Sequence, residues 1–349
     1  MATLIEQADF VIGVDTHKAT HTGSVVDSLG AELATTTLTA DGPGYRRMLR
    51  FAQTHADCGR IWAIEGTGSY GRGLTTYLLE HGEQVVEIDR PARPARRNGA
   101  KSDALDATRA AREALSRRHL AQPRRRGDRE ALRVLLRTRK GAVVARSQAI
   151  CHLKSLVIAA PAQLRHRLDP LTTDALLERC SRLRILQSHD VEYRATVTAL
   201  RATARRAQAL GREASALESD LHELVRRMAP PLLAEQGVGS ITGGEILCAW
   251  SHPGRLRSEA AFANLAGVAP IPASSGQVTR HRLNRGGDRN LNCALHIIVL
   301  NRLAHHEETK RYAARKQAEG KTPREIRRCL KRSLARRLFK LLEAMPQPT

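Results

Sequence analysis

The sequence predicts an α/β domain over residues 1–125, a helical spacer or oligomerisation region over 126–229, and a mainly α-helical domain over 230–349. Three observations carry that reading. Short Val- and Ile-rich runs alternate with helical stretches as far as Ile88, the pattern of buried strands covered by helices. From Val191 to Met228 apolar residues recur at a 4-3 spacing, which draws a stripe along one helical face. Beyond Pro230-Pro231 the apolar residues keep helical periods between turns marked by glycine and proline.

Taken in order, Phe10-Val11-Ile12-Gly13-Val14-Asp15 reads as a buried strand that ends on a carboxylate. A buried charge needs a partner, often a metal, and a carboxylate on a rigid strand is well placed to hold a divalent cation. The alternative is a turn former or helix cap. Thr22 to Asp27 and Ala31 to Thr39 read as two further strands joined by hairpin turns. Gly42-Pro43-Gly44 punctuates, and Tyr45 to His55 reads as a helix. Arg60-Ile61-Trp62-Ala63-Ile64-Glu65 is a second buried-strand pattern ending on an acid, Tyr70 to His81 a helix, and Gln84 to Ile88 a strand. Three strands in a meander, then helix, strand, helix, strand, helix is the order of a ribonuclease-H-like domain. There the fourth strand lies beside the first, which sets Asp15 next to Glu65. Two adjacent carboxylates repel, and a divalent cation between them relieves the repulsion.

Arg90 to Gly99 is a basic loop kept irregular by its prolines. Lys101-Ser102-Asp103-Ala104-Leu105-Asp106 then opens a helix, with Ser102 as N-cap and both acids on one face. Acids in a first turn favour the helix dipole with no further role. Set beside Asp15 and Glu65, they make four acids able to converge on one or two Mg²⁺ ions.

Arg117 to Gly127 reads as a basic linker at the domain edge, either a solvated connector or a contact for nucleic-acid backbone. Asp128 to about Ala160 is helical, and the stripe over Val191 to Met228 calls for a partner helix, in a coiled coil or a helical hairpin. Gly237-Val238-Gly239 precedes an apolar helix ending at Trp250, either a phosphate-holding turn or a plain tight turn. Ser258 caps a short helix to Ala266. The loop from Gly267 to Asn290 places Ser274 and Ser275 before Gly276, followed by Arg280, Arg282, Arg285 and Arg289. An accessible hydroxyl ringed by arginines can attack phosphorus, although most such loops are only loops. Leu291 to Ala304 is helical, and Thr322-Pro323-Arg324-Glu325 is a capping box opening a last helix with Ile326, Leu330, Leu334, Leu338 and Leu341 inward. The basic residues on its other faces either meet nucleic acid or are solvated.

Composition narrows the function classes. Of 349 residues, 57 are Lys or Arg and 35 Asp or Glu, a net charge of +22, and all but nine of the bases are arginine. Such an excess implies a polyanionic partner, most simply nucleic acid, and arginine's planar fork suits phosphates and guanine edges. Aromatics are 3%, so the core rests on Leu, Val, Ile and Ala. Cys58, Cys151, Cys180, Cys248, Cys293 and Cys329 form no close pair, which argues against a zinc site or a disulfide framework and for a reducing compartment. No apolar signal region and no membrane-length run is present, so a cytoplasmic, non-membrane protein is expected.

The chain resembles the DEDD transposases of bacterial insertion sequences, insertion-sequence family 110, and their Piv-invertase relatives. The resemblance rests on Gly13-Val14-Asp15-Thr16-His17-Lys18, Ile64-Glu65-Gly66-Thr67-Gly68, Lys101-Ser102-Asp103-Ala104-Leu105-Asp106-Ala107, Gly237-Val238-Gly239, Phe262-Ala263-Asn264-Leu265-Ala266-Gly267-Val268-Ala269-Pro270, Ser275-Gly276 and Gly286-Gly287-Asp288-Arg289-Asn290, in that order. It implies a RuvC-like N-terminal domain whose acids, here Asp15, Glu65, Asp103 and Asp106, bind Mg²⁺. A coiled-coil segment would follow, then a transposase domain with a nucleophilic serine, Ser275, or its neighbour Ser274. It implies recombination of double-stranded DNA at element ends and target, guidance of some members by a structured noncoding bridge RNA, and homodimers or homotetramers whose subunits share a site. Lys18, Lys101, Gly237, Gly239, Arg280, Arg282, Arg285 and Arg289 are the positions expected to meet nucleic acid. The proline- and arginine-rich loop from Arg90 to Arg97 is more basic than the family pattern.

Overall fold

Short runs buried on both faces build the first sheet. Strands β1 (Phe10–Thr16), β2 (Thr20–Asp27) and β3 (Glu32–Thr39) form an antiparallel meander. Helix α1 (Gly42–His55), β4 (Arg60–Glu65), α2 (Arg72–Glu80), β5 (Val85–Ile88) and α3 (Asp103–Ser116) follow. The strand order is β3-β2-β1-β4-β5, with β4 parallel to β1 and β5 parallel to β4. In this computed structural model residues 8–88, 102–117, 120–124, 126–185, 190–273 and 281–345 are described. Contacts divide the chain into two units, Met1–Arg125 and Arg126–Thr349.

Each face of the sheet has its own core. Ile12, Val14, Trp62 and Ile64 pack on Met48, Ala52, Leu74 and Leu78 of α1 and α2. Val11, Val26, Ala63 and Ile88 pack on Ala111, Ala114 and Leu115 of α3. A fully buried side chain of this kind contributes roughly 1.5–3 kcal/mol. Helix α3 lies directly on β1: a Cβ at Gly13 would fall 2.0 Å from the Ala107 carbonyl oxygen and 2.6 Å from the Ala111 nitrogen. Only glycine in the strand and alanines in the helix permit that approach. At the far end of the sheet, Glu83 accepts hydrogen bonds from Trp62 Nε1 at 2.8 Å and Arg60 Nε at 2.9 Å.

The stretch expected to be a basic connector after α3 does not simply leave the domain. Glu87 donates its backbone N–H to the Ala121 carbonyl at 2.7 Å, and Pro123 is buried. The reason is that β5 is an edge strand whose outward N–H needs an acceptor.

The second unit is helical: α4 (Asp128–Ile158), α5 (Ala162–Leu168), α6 (Thr173–Ser181), α7 (Val191–Met228), α8 (Pro230–Ala234), α9 (Ser240–Trp250), α10 (Glu259–Leu265), α11 (Arg289–His305), α12 (Glu307–Ala318) and α13 (Pro323–Glu343). A short hairpin, β6 (Ile271–Pro272) with β7 (His281–Arg282), follows α10. The stripe on α7 finds its partner within the chain. Val197, Leu200, Ala204 and Ala207 share a core with Leu153 and Val157 near the end of α4, sealed by Leu164, Leu168 and Leu176 of α5 and α6. Leu221 and Val225 meet Leu132 and Leu136 near its start, so the two helices run antiparallel. Arg139 and Glu218 link them at 2.8 Å. The root of this pair shares one core with Trp250, Phe262, Leu295, Ile298, Leu334 and Leu338. Ser258 caps α10 and the Thr322/Glu325 box opens α13. Helix α12 has no counterpart in the sequence reading, because only Thr309 of its residues is buried and it carries no apolar stripe. Among the described residues no helix is long and apolar enough to cross a membrane.

A candidate catalytic acid cluster

Asp15 stands near the end of β1 with a side chain 14% exposed. Val11, which packs against α3, shares its strand parity with Gly13 and Asp15, so Asp15 is on the α3 face. Ala63 packs on the same side, which puts Glu65, two residues on, there as well. The last registered pair of these parallel strands is Val14 with Ile64, and Thr16 Oγ1 donates to the Glu65 carbonyl at 2.9 Å just beyond it. Asp15 and Glu65 thus occupy neighbouring strand ends on one face.

Helix α3 brings the other acids to that end. Ser102 caps it by accepting from the Leu105 N–H at 3.3 Å, which sets Asp103 and Asp106 in the first turn. Thr108 anchors the helix to the sheet, 2.9 Å from Ser24 Oγ and donating to Glu32 Oε2 at 2.6 Å. His17 Nδ1 lies 3.8 Å from Asp15 Oδ2 and 3.7 Å from Asp103 Oδ2. Burial pushes the Asp15 carboxyl above its ordinary value, and the charges of Asp103 and Asp106 add to this. His17 and the Thr16 N–H oppose the rise without cancelling it. Asp106 also accepts from Arg109 at 2.9 Å.

The donor set fits a hard cation. One ligand atom from each of Asp15, His17 and Asp103 lies within 4.8 Å of the others. Ligands across one ion, each bonded at about 2.0–2.6 Å, are separated by that order of distance. Carboxylate oxygens suit Mg²⁺, and an imidazole also admits Mn²⁺. The structure therefore brings together Asp15, Asp103 and His17, sets Asp106 within electrostatic reach of Asp15, and places Glu65 at the adjoining strand end. His17 escaped the sequence reading as a site residue. Its signal was a position two residues after Asp15, the strand period.

The sites expected elsewhere fare unevenly. Ser274, Ser275, Arg280 and Lys101 lie outside the described residues. Lys18, Arg282, Arg285 and Arg289 are exposed. The Gly239 N–H, expected as a phosphate donor, is instead given to Thr242 Oγ1 at 2.9 Å. A side-chain hydroxyl three residues on satisfies this amide within the helix start, so it is not available to a ligand. Two glycine motifs prove to be one scaffold. A Cβ at Gly267 would fall 2.7 Å from the Gly286 carbonyl, and one at Gly287, at φ +98°, would fall 2.5 Å from that of Leu265. Asp288 completes the junction by capping α11, accepting from Asn290 N at 2.8 Å and Leu291 N at 3.0 Å.

Residues 12–160, which include Asp15, Glu65, Asp103 and Asp106, match a family described as a transposase, the DEDD type of IS110. Residues 230–314, which include Ser275 and Arg289, match one described as Transposase IS116/IS110/IS902 family. No curated protein matches the chain.

Proposed function

The chain belongs to the IS110 family of DEDD transposases, and from that premise we propose that it cuts and rejoins double-stranded DNA by a serine mechanism at a Mg²⁺-dependent site. The observation that carries the proposal is the meeting of Asp15 and Asp103 across His17. Strand-borne acids joined by acids from a following helix are what a ribonuclease-H-like, RuvC-like site requires, and the strand order β3-β2-β1-β4-β5 accords with it.

Asp15, Glu65, Asp103 and Asp106 would hold the metal, with His17 as a further donor. When bound, the metal polarises the scissile phosphate and eases loss of the nucleophile's proton. Ser275 is the nucleophile: its Oγ–P bond forms as the P–O3′ bond breaks, and the hydroxyl proton is accounted for on the departing 3′ oxygen. The resulting phosphoserine link is reversed onto another DNA end. Arg280, Arg282, Arg285 and Arg289 offset the charge that builds on phosphorus. On the strength of the family and the +22 charge, the proposal extends to a bridge RNA partner and to a homodimer or homotetramer, with the helices α4 and α7 as the oligomerisation region.

Asp15→Asn and Ser275→Ala separate the parts. With DNA carrying the element ends, Asp15→Asn is expected to lose all metal-dependent cleavage while still binding DNA. Ser275→Ala is expected to bind DNA and form no protein–DNA adduct. Free nicked DNA from Ser275→Ala at the wild-type rate would identify water as the nucleophile and overturn the serine mechanism.

A further inference from the structure

A cleft of about 770 Å³ opens in the second unit between α13 and the segment that joins α10 to the β6–β7 hairpin. Its walls are basic: Arg282 from β7, Lys321 ahead of α13, and Arg328, Lys331, Arg332 and Arg336 along one side of α13. Among the described residues of the lining the one carboxylate, Glu325, is committed to its own helix start, accepting from Thr322 N at 2.9 Å and Thr322 Oγ1 at 2.8 Å. Arg332 and Arg336 share Glu259, at 3.2 and 2.8 Å. Among the described residues Arg282, Lys321, Arg328 and Lys331 make no ion pair.

Lys331 is the telling member. A basic residue on the outer face of a terminal helix is expected to be solvated, yet Lys331 is only 8% exposed. Its Nζ donates to Asn292 Oδ1 at 3.0 Å, a neutral acceptor. The Asn292 amide is held in turn by donating to the Ala266 carbonyl at 2.7 Å, so the oxygen is fixed toward the lysine. Burial lowers the lysine's pKa, and Arg327 and Arg328 lower it further. A buried cation beside other cations, with no carboxylate, is costly as it stands. An anion entering the cleft removes both the repulsion and much of the desolvation cost.

The shape and lining narrow the anion. Arg328 to Arg336 is eight residues, about 12 Å at the helical rise, the axial span of several phosphates of one duplex strand. Among the described residues, no aromatic side chain beyond His281 lines the cleft, and stacking platforms of that kind are what hold single strands. We propose that this cleft grips the phosphate backbone of a DNA duplex, with Lys331 as its buried phosphate contact and Arg328 as a second. The proposal rests on the reading of the chain as a DNA transposase and adds a DNA-holding surface to it.

The test uses the full chain and a duplex DNA of arbitrary sequence. Each lost phosphate contact lowers the steepness of log K against log salt by about one. Lys331→Gln and Arg328→Gln are each expected to lower it by about that amount, with the far-ultraviolet spectrum unchanged. Saturating DNA is also expected to slow alkylation of Cys329, which lines the cleft, several-fold in the wild-type chain, while Cys151 on α4 keeps its rate. Should Lys331→Gln fail to fold, Arg328→Gln and the Cys329 rate decide. A wild-type salt dependence in the folded variants, with Cys329 unprotected under bound DNA, overturns the proposal, as does protection by an RNA duplex and not by DNA. Either result alongside an intact protein–DNA adduct removes the cleft alone. Failure of the wild-type chain to bind DNA removes the transposase reading itself.

Discussion

Asp15 on β1 and Asp103 in the first turn of α3 face each other across one imidazole, their Oδ2 atoms 3.8 and 3.7 Å from His17 Nδ1. The two acids are 88 positions apart in sequence, and they meet because α3 lies on β1 at van der Waals distance. Burial, and then the charges of Asp103 and Asp106, disfavour ionisation of Asp15, and a divalent cation reverses that.

Metal should therefore stabilise the fold measurably. A ligand at a hundred times its dissociation constant adds about 2.7 kcal/mol. Mg²⁺ or Mn²⁺ is expected to raise the melting temperature of the wild-type chain and to leave Asp15→Asn and Asp103→Asn unmoved. Equal shifts in all three would place the metal elsewhere. His17→Ala is expected to weaken the shift and to do so more for Mn²⁺ than for Mg²⁺, since imidazole favours the former.

Gly13 sets the distance between strand and helix. In Gly13→Ala the new Cβ would meet the Ala107 carbonyl at 2.0 Å, so α3 must move off β1. Overpacking of this kind costs about 1–3 kcal/mol, readable by urea unfolding. The same movement takes Asp103 from Asp15, so metal binding is expected to fall even where the variant remains folded. Unchanged metal affinity would mean that α3 does not set the site.

The Glu83 carboxylate gives a pH signature remote from the acids. Burial pushes its pKa up, but the hydrogen bonds from Arg60 and Trp62 outweigh this and hold it below the ordinary 4.5. A carboxyl depressed in the folded state contributes stability that is fully present above 4.5 and is lost as pH falls through the folded value. Glu83→Gln is expected to be less stable than wild type by about 1–3 kcal/mol at neutral pH, with the gap closing in acid. A gap independent of pH would contradict the assignment.

The antiparallel pair α4 and α7 depends on its buried leucines. Leu200, fully buried between them, is expected to cost about 2–5 kcal/mol when cut to alanine, measured by thermal unfolding. A loss well under 1 kcal/mol would mean that the two helices do not pack in solution as they do here.

Strands, long helices and caps were legible because each has a local cause. Continuous apolar runs ending on an acid mark β1 and β4, the 4-3 stripe marks Val191 to Met228, and Thr322 with Glu325 marks the start of α13. Asp15, Glu65, Asp103 and Asp106 stood out because acids follow buried strands or open a helix. What was hidden depends on tertiary partners. Helix α12 buries almost nothing and shows no period. His17 joins the acids only once α3 is docked. The Gly239 amide is taken by Thr242, and Lys331 turns inward to Asn292 although, like Arg328 and Arg332, it falls outside the apolar stripe of its helix.

A serine of this chain joined to DNA under control of the acid cluster can be sought by proteolysis of the adduct formed with element-end DNA and Mg²⁺, followed by mass spectrometry. A nucleotide joined through phosphate to Ser275 is expected in the wild-type chain and none in Asp15→Asn. A wild-type reaction that releases nicked DNA with no serine modified, or an adduct that forms equally in Asp15→Asn, would contradict it.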